Sequence, residues 1–131
     1  MRCRMVWAVS AMLLMITPVR AKDCPVKEFS LDAREDAIRK AASCKEALEI
    51  MEACAYGAGG DTGLGGAVHG RCEPEFLGKL SKAQKRAYDR EQKRCDAKYA
   101  RQQGTMYRSA TAFCQARSTV AYARRFGPRA Q

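Results

Sequence analysis

The sequence predicts an all-α domain of about four helices, held by disulfides and ending in an antiparallel helical hairpin. Alanine is abundant, β-branched residues are sparse, and apolar residues recur at spacings of three and four. Six of the seven cysteines follow an apolar leader, which leaves the rest of the chain with an even number of thiols. Residues 22–131 are the size of a single small domain, for which disulfides supplement a modest core.

Residues 1–21 are expected to be a signal peptide. Two arginines precede the apolar run Met5–Ile16, and Val19 and Ala21 occupy the positions where a signal peptidase selects small or aliphatic side chains. The run is shorter than the roughly 20 apolar residues that a transmembrane helix needs. We therefore expect cleavage after Ala21 and a periplasmic or secreted domain, residues 22–131, without a transmembrane segment.

The first helix is expected to open at Asp32, with Glu35 completing a capping box, and to run to about Ala55. Six glycines in the ten residues from 57 to 66 then predict a mobile loop. This loop resembles a phosphate cradle only in composition, because no Lys-Ser/Thr pair follows it and no strand precedes it. Within this stretch, Asp61 is expected to cap a short second helix.

That second helix is expected to end near Val68, and Glu73-Pro74 is expected to interrupt the chain again. A long third helix should begin at Pro74 or at Ser81, where Gln84 offers a second capping box, and should run to about Gln103. The last helix should extend to about Arg125.

The boundary between these two long helices has its own signals. Gly104 fits the C-cap of the third helix, and Thr105 fits the N-cap of the last one. Gly127-Pro128 should end the last helix, because neither residue favours its continuation. Together these signals predict the C-terminal hairpin.

The six cysteines are expected to form three structural disulfides. Cys95 and Cys114 lie nine residues before and ten residues after Gly104, which places them at nearly equal height in an antiparallel hairpin. Cys44 and Cys54 are too far apart on one helix to bond each other, since ten residues span about 15 Å. The other expected pairs are Cys54 with Cys72, across the glycine-rich loop, and Cys24 with Cys44, although six cysteines allow fifteen connectivities.

No metal, cofactor or catalytic group is expected. The cysteine spacings of nine or more residues do not fit the closely spaced pairs of structural zinc sites, and no C-x-x-C redox motif is present. His69, the only histidine, is expected to be an ordinary surface or helix residue, because Cys72 nearby should be bridged. Glu73 and Glu75 should face different sides of a helix and serve as first-turn charges.

Charge is strongly polarised along the chain. Residues 22–78 hold seven basic and eleven acidic side chains, whereas residues 79–131 hold fourteen basic and three acidic ones. Basic residues recur every fourth position on the predicted long helix and form one basic stripe, which consists of Lys82, Arg86, Arg90, Arg94 and Lys98. The stripe is either a solvated helix face, supported by Lys85, Asp89 and Lys93 at i,i+4 spacing, or a surface for anionic lipid headgroups, lipopolysaccharide or cell-wall polyanions.

Residues 44–95 hold the segment Cys44-Lys-Glu-Ala47, then Cys54, Asp61 and Leu64, and then Leu80 and Tyr88 on a polar helix. In this pattern the chain resembles the LprI-like lysozyme-inhibitor family of small exported bacterial domains. The resemblance implies a periplasmic all-helical domain that binds and blocks a lysozyme. The net charge after cleavage is +7, so any contact with a cationic lysozyme should come from the acidic N-terminal half.

The expected function is therefore that of an exported, non-enzymatic binding protein of the bacterial envelope. Its partner is expected to be a protein, and a lysozyme is the most specific candidate. The alternative partner is an anionic envelope component that binds the basic stripe, and salt sensitivity would distinguish this alternative. Specific recognition of nucleic acid is not expected, because export removes the usual partner and no recognition motif is present.

Overall fold

The computed structural model describes residues 22–128, which form five α-helices and one short 3₁₀-helix. The α-helices are α1 (Leu31–Arg39), α2 (Cys44–Cys54), α3 (Asp61–Phe76), α4 (Lys82–Tyr99) and α5 (Thr105–Phe126), and the 3₁₀-helix is Leu77–Lys79. The described range contains no strand. The all-α prediction is confirmed, whereas the predicted signal peptide lies outside the described residues.

Helix α3 lies at the centre of the fold, in contact with α1, α2 and α5, while α4 packs mainly against α5. The fully buried side chains include Ile38, Met51, Leu64, Val68 and Phe76. Burying side chains of this size stabilises the fold by about 1.5 to 3 kcal/mol each relative to leaving them exposed. The core therefore lies mostly among the first three helices and α5, and α4 is left with most of its surface in solvent.

The single helix expected from Asp32 to Ala55 is two helices. Ser30 caps α1 by accepting a hydrogen bond from the Ala33 amide, so Asp32 lies in the first turn and is not the cap. Ser43 caps α2 by accepting from the Glu46 amide at 3.1 Å. In return the Glu46 carboxylate accepts from the Ala42 amide at 2.7 Å, which fixes a second helix start within the predicted helix.

Helix α3 is longer than expected and runs through the predicted break at Glu73-Pro74. Pro74 lies near its C-terminal end. Because proline has no backbone N–H, the carbonyl of Gly70 receives no helical hydrogen bond from this position. Gly70 is exposed, so water can hydrate that carbonyl. The glycine-rich loop is therefore shorter than predicted, because α3 already begins at Asp61.

The C-terminal hairpin forms as predicted, with small shifts at its turn. Ser81 and Gln84 form the expected capping box at the start of α4. Helix α4 ends at Tyr99, a few residues before the expected position. Gly104 has a φ of 111°, a conformation that favours glycine, and it is the N-cap of α5 instead of the C-cap of α4, while Thr105 is the first helical residue.

Three disulfides join the six cysteines of the described chain. Cys95 and Cys114 are paired with their Cα atoms 5.6 Å apart, as the hairpin argument predicts. The other two predicted pairs are wrong: the observed bridges are Cys24–Cys54, with Cα atoms 4.7 Å apart, and Cys44–Cys72, with Cα atoms 5.4 Å apart. The break between α1 and α2 reorients α2 into an antiparallel pair with α3, which brings Cys44 to Cys72.

Candidate functional site

The five side chains of the basic stripe are all exposed. Only Tyr88 and Cys95 are buried on α4, and both face α5. At 100° per residue, Arg86 and Arg90 lie on the side of the helix opposite to these two residues. The stripe therefore occupies the solvent face of α4, at the edge of the molecule.

The basic stripe has no ion-pair partner among residues 22–128. In this range every ion pair takes its carboxylate from the N-terminal half, between Glu35 and Glu75. The expected pairs of Asp89 with Lys85 and Lys93 are not formed. Several carboxylates of the acidic half are thus paired with basic side chains, whereas the basic side chains of the stripe have no carboxylate in direct contact.

Beneath α4, a polar network joins three helices. The Tyr88 hydroxyl of α4 donates to Glu73 Oε1 of α3 at 2.8 Å and lies 2.7 Å from Thr119 Oγ1 of α5. His69 Nδ1 lies 2.9 Å from Thr119 Oγ1 and 3.2 Å from Glu73 Oε1. Thr119 is fully buried, and its hydroxyl donates to the Gln115 carbonyl at 3.1 Å. The network ties the first half of α4 to α3 through hydrogen bonds that water cannot easily replace.

The network assigns the tautomer of His69. The Glu73 carboxylate only accepts hydrogen bonds, and its Oε1 lies 3.2 Å from Nδ1, while the hydroxyl of Thr119 has the Gln115 carbonyl as its own acceptor. Nδ1 must then carry the proton and donate it to Thr119 or Glu73. Nε2 is left with a free lone pair and has no partner among the described residues. The His69 side chain is 23% exposed, so it is one edge of the ring that reaches solvent.

That edge lines a groove between α3 and the second half of α4, which we call the α3–α4 groove. The two helices approach each other at Tyr88 and Glu73 and diverge from there, leaving α5 as the floor. The groove has a volume of about 790 Å³. It is lined by Tyr99 of α4 and Tyr107 of α5, whose ring centroids are 6.3 Å apart.

The predictions for the remaining site residues have mixed outcomes. His69 is a helix residue, as expected, but its hydrogen bonds to two neighbouring helices were not anticipated. Glu73 and Glu75 do face different partners, Tyr88 and Arg71, but they lie at the end of α3, so their assignment as first-turn charges is wrong. Cys72 is bridged, which removes the free thiol that a Cys/His arrangement would need.

Asp61 occupies the place that an anion would take in the glycine-rich loop. Its carboxylate accepts hydrogen bonds from the backbone amides of Tyr56, Gly57 and Ala58 at 2.8 to 3.3 Å. It also accepts from the Ser109 hydroxyl at 2.5 Å. Because these loop amides are already satisfied internally, the loop does not present them to a phosphate.

The described part of the chain offers neither a metal site nor a membrane span. Residues 22–128 hold no group of three or more His, Cys, Asp or Glu side chains placed to bind a metal ion. None of the helices described is long and apolar enough to cross a membrane. No family model matches the chain, and neither a curated protein nor a solved structure matches it.

The Tyr88 hydroxyl gives the network a measurable pH dependence. Burial raises the pKa of Tyr88 well above its ordinary value of 10.0; the hydrogen bond with Thr119 lowers it, while Glu73 raises it further. Above pH 10 the unfolded chain loses this proton while the folded chain keeps it, so stability that is fully present below that pH is lost as the pH rises.

We expect Tyr88→Phe to flatten this alkaline loss of stability. At pH 7 the variant should also be less stable by about 1 to 2 kcal/mol, because hydrogen bonds to Glu73 and Thr119 are removed. Urea unfolding from neutral to alkaline pH measures both effects. An alkaline slope as steep in the variant as in the wild type would contradict the role assigned to Tyr88.

Proposed function

We propose that this protein is an exported, non-enzymatic binding protein that attaches to anionic surfaces of the bacterial envelope through the basic stripe of α4. The observation that carries the proposal is the exposure of all five basic side chains without an ion-pair partner in the described range. Three disulfides and the absence of a membrane-spanning helix among residues 22–128 are compatible with such a location.

The stripe has the dimensions of a surface contact. Its members follow one another at about 6 Å along the helix axis, so the five charges span about 24 Å. Each basic side chain close to an anionic lipid surface contributes about 1 kcal/mol, and the contribution falls off within a Debye length. Several such contributions together are enough to hold the protein on an anionic surface without a deep binding pocket.

The contact should be electrostatic, without insertion into the lipid. The large apolar side chains exposed in the described chain are Phe29, Leu31 and Met106, and none of them lies on α4. An interfacial helix that inserts needs apolar side chains on its buried face, and α4 offers none beside the stripe. Binding should therefore weaken steeply as the salt concentration rises.

We expect reversal of Arg86, Arg90 and Arg94 to glutamate to abolish binding to vesicles that contain phosphatidylglycerol. These side chains make no ion pair or hydrogen bond in the described chain, so helicity should be unchanged. Cosedimentation with anionic vesicles and with phosphatidylcholine vesicles, at about 0.05 and 0.3 M salt, is the measurement. The protein should be recovered from its native compartment. Its intact mass should correspond to a chain that begins at Lys22.

The matched control is a variant with the same change in net charge elsewhere. Lys27, Lys79 and Arg124 are exposed, lie outside α4 and have no ion-pair partner in the described range, so their reversal to glutamate should leave most of the binding intact. If both variants lose binding equally, net charge alone is responsible and the stripe has no special role. If the α4 variant still binds, the stripe is a solvated helix face.

Inhibition of a lysozyme is a second proposal, supported by a different surface. Asp23, Glu28 and Asp32 are exposed, and none of them has an ion-pair partner in residues 22–128. Glu28 precedes Phe29, which is 80% exposed, and Asp32 follows it by three residues, so acidic and apolar side chains are exposed near each other in the sequence at the N-terminal end of the described chain. Such a combination suits a cationic protein partner. An assay of lysozyme activity with the purified protein tests this proposal independently of vesicle binding.

A further inference from the structure

The α3–α4 groove differs from the basic stripe in its charge. Among the residues that line it, the acidic and basic side chains are Asp96 and Arg108, one of each sign. The basic stripe runs along the solvent face of the same helix. A ligand selected by the groove is therefore expected to be uncharged, unlike a ligand selected by the stripe.

The polar groups of the groove offer both donors and acceptors. The Nε2 lone pair of His69 is an acceptor that is held in position, because Nδ1 is bound on the opposite side of the ring. Gln115 donates from its amide nitrogen to Asp96 at 2.9 Å, which leaves its side-chain oxygen free to accept. The exposed amides of Gln102 and Gln103 both donate and accept. Such a mixture suits a ligand that is rich in hydroxyl groups.

The aromatic side chains offer a complementary apolar surface. The planes of Tyr99 and Tyr107 are inclined by 36°, and both rings are partly exposed in the groove. An aromatic face packs well against an apolar C–H surface, while the phenol hydroxyl keeps contact with water. A pyranose ring has such an apolar face, with hydroxyl groups around its edge. Its chemistry matches both the rings and the amides of the groove.

We propose that the α3–α4 groove is a binding site for a neutral saccharide. A pyranose unit packs on Tyr99 or Tyr107 and donates a hydroxyl proton to Nε2 of His69. The volume of about 790 Å³ lies within the range of small-ligand sites and accommodates a short oligosaccharide. This inference goes beyond the proposed function and does not depend on it, because a neutral sugar has no electrostatic attraction to the basic stripe.

Gly66 provides a substitution that fills the groove without disturbing the fold. It lies on α3 and lines the groove, and a Cβ atom added there would meet nothing within 4 Å. Replacing a helical glycine by a residue with a side chain also favours the helix. Gly70 lies on the same helix, is equally open and is not among the residues that line the groove, so it is the matched control.

The experiment is an NMR titration of the disulfide-bonded protein with two uncharged probes, N-acetylglucosamine trimer and maltotriose, up to about 20 mM. We expect saturable shifts of the His69, Tyr99 and Tyr107 ring signals with at least one probe. Gly66→Phe should lower the affinity by about tenfold or more, and Gly70→Phe should leave it unchanged. Raising the salt from about 0.05 to 0.5 M should have little effect.

Three results would overturn the proposal. One is the absence of saturable shifts with both probes, and another is undiminished affinity in Gly66→Phe. The third is a set of shifts confined to Arg86, Arg90 and their neighbours on the basic stripe. None of these results bears on vesicle binding, and loss of vesicle binding in the α4 variant would not affect the sugar titration, so the two proposals fail separately.

Discussion

Replacing Asp61 by alanine is expected to lower the free energy of unfolding by about 3 to 4 kcal/mol. The carboxylate is fully buried and accepts hydrogen bonds from three backbone amides, those of Tyr56, Gly57 and Ala58. It also accepts from the hydroxyl of Ser109 on α5. The substitution leaves all four donors without their acceptor and separates the loop from α5. Against a typical total stability of about 5 to 15 kcal/mol, this is a large fraction.

Urea unfolding of the wild type and the variant gives the difference in stability, provided that the denaturant slope is unchanged. Hydrogen exchange gives a local readout, since the Gly57 and Ala58 amides should lose their protection in the variant. Thr62→Ala is the matched control: its exposed hydroxyl bonds the Gly59 carbonyl of the same loop, and its loss should cost less than about 1 kcal/mol. Equal effects of the two substitutions would show that Asp61 does not organise the loop.

The C-terminal half of the fold could be predicted from the sequence because its signals are local. Ser81 and Gln84 define the start of α4 through contacts three residues apart, and Gly104 marks the turn. The Cys95–Cys114 bridge follows from helix rise alone once an antiparallel hairpin is assumed. These inferences need no knowledge of how the other helices pack.

The N-terminal half was less predictable because two helix starts compete there. The apolar spacing continues through residues 40–43, and this continuity favoured one long helix. Ser43 and Glu46 carry the capping signal that divides it, and this signal was present in the sequence. The exposed capping contacts outweigh the apolar periodicity because the break allows α1 and α2 to pack separately against α3.

The disulfide error follows from the same missed break. Cys44 lies ten residues before the end of α2 and Cys72 eleven residues after the start of α3, so the two are at equal height once these helices are antiparallel. The argument that predicted the bridge of the C-terminal hairpin would have predicted this one as well. A single long helix instead places Cys44 in its middle and Cys54 at its end, and this arrangement gives Cys44 no partner at equal height.

Of the candidate functional sites, only the basic stripe could be predicted from the sequence. A basic residue at every fourth position places the stripe on one helix face whatever the tertiary structure. The polar network, in contrast, joins His69 to Thr119 across 50 residues of sequence. No spacing rule connects residues on α3 with residues on α5, so a lone histidine was the sole signal available for the α3–α4 groove.

Replacing both Cys44 and Cys72 by alanine is expected to destabilise the domain by about 3 to 4 kcal/mol. The bridge closes a sequence separation of 28 residues, and a loop of this length corresponds to such a value in the chain-entropy account of disulfides. Both side chains are buried where α2 meets α3, so the folded state retains little freedom when the bridge is removed. The full effect should therefore appear as a lower urea midpoint.

The Cys24–Cys54 bridge supplies the comparison, because its sequence separation of 30 residues is nearly the same. It holds only the non-helical segment before α1 to the end of α2. Without this bridge, residues 22–29 can detach locally, so the folded state gains freedom too and the loss of global stability should be smaller. Peptide mapping without reduction confirms that each double variant keeps its other two bridges. Equal losses of stability in the two variants would mean that loop length alone determines how much each bridge stabilises the fold. A larger loss of stability without Cys24–Cys54 would contradict the central position assigned to the α2–α3 pair.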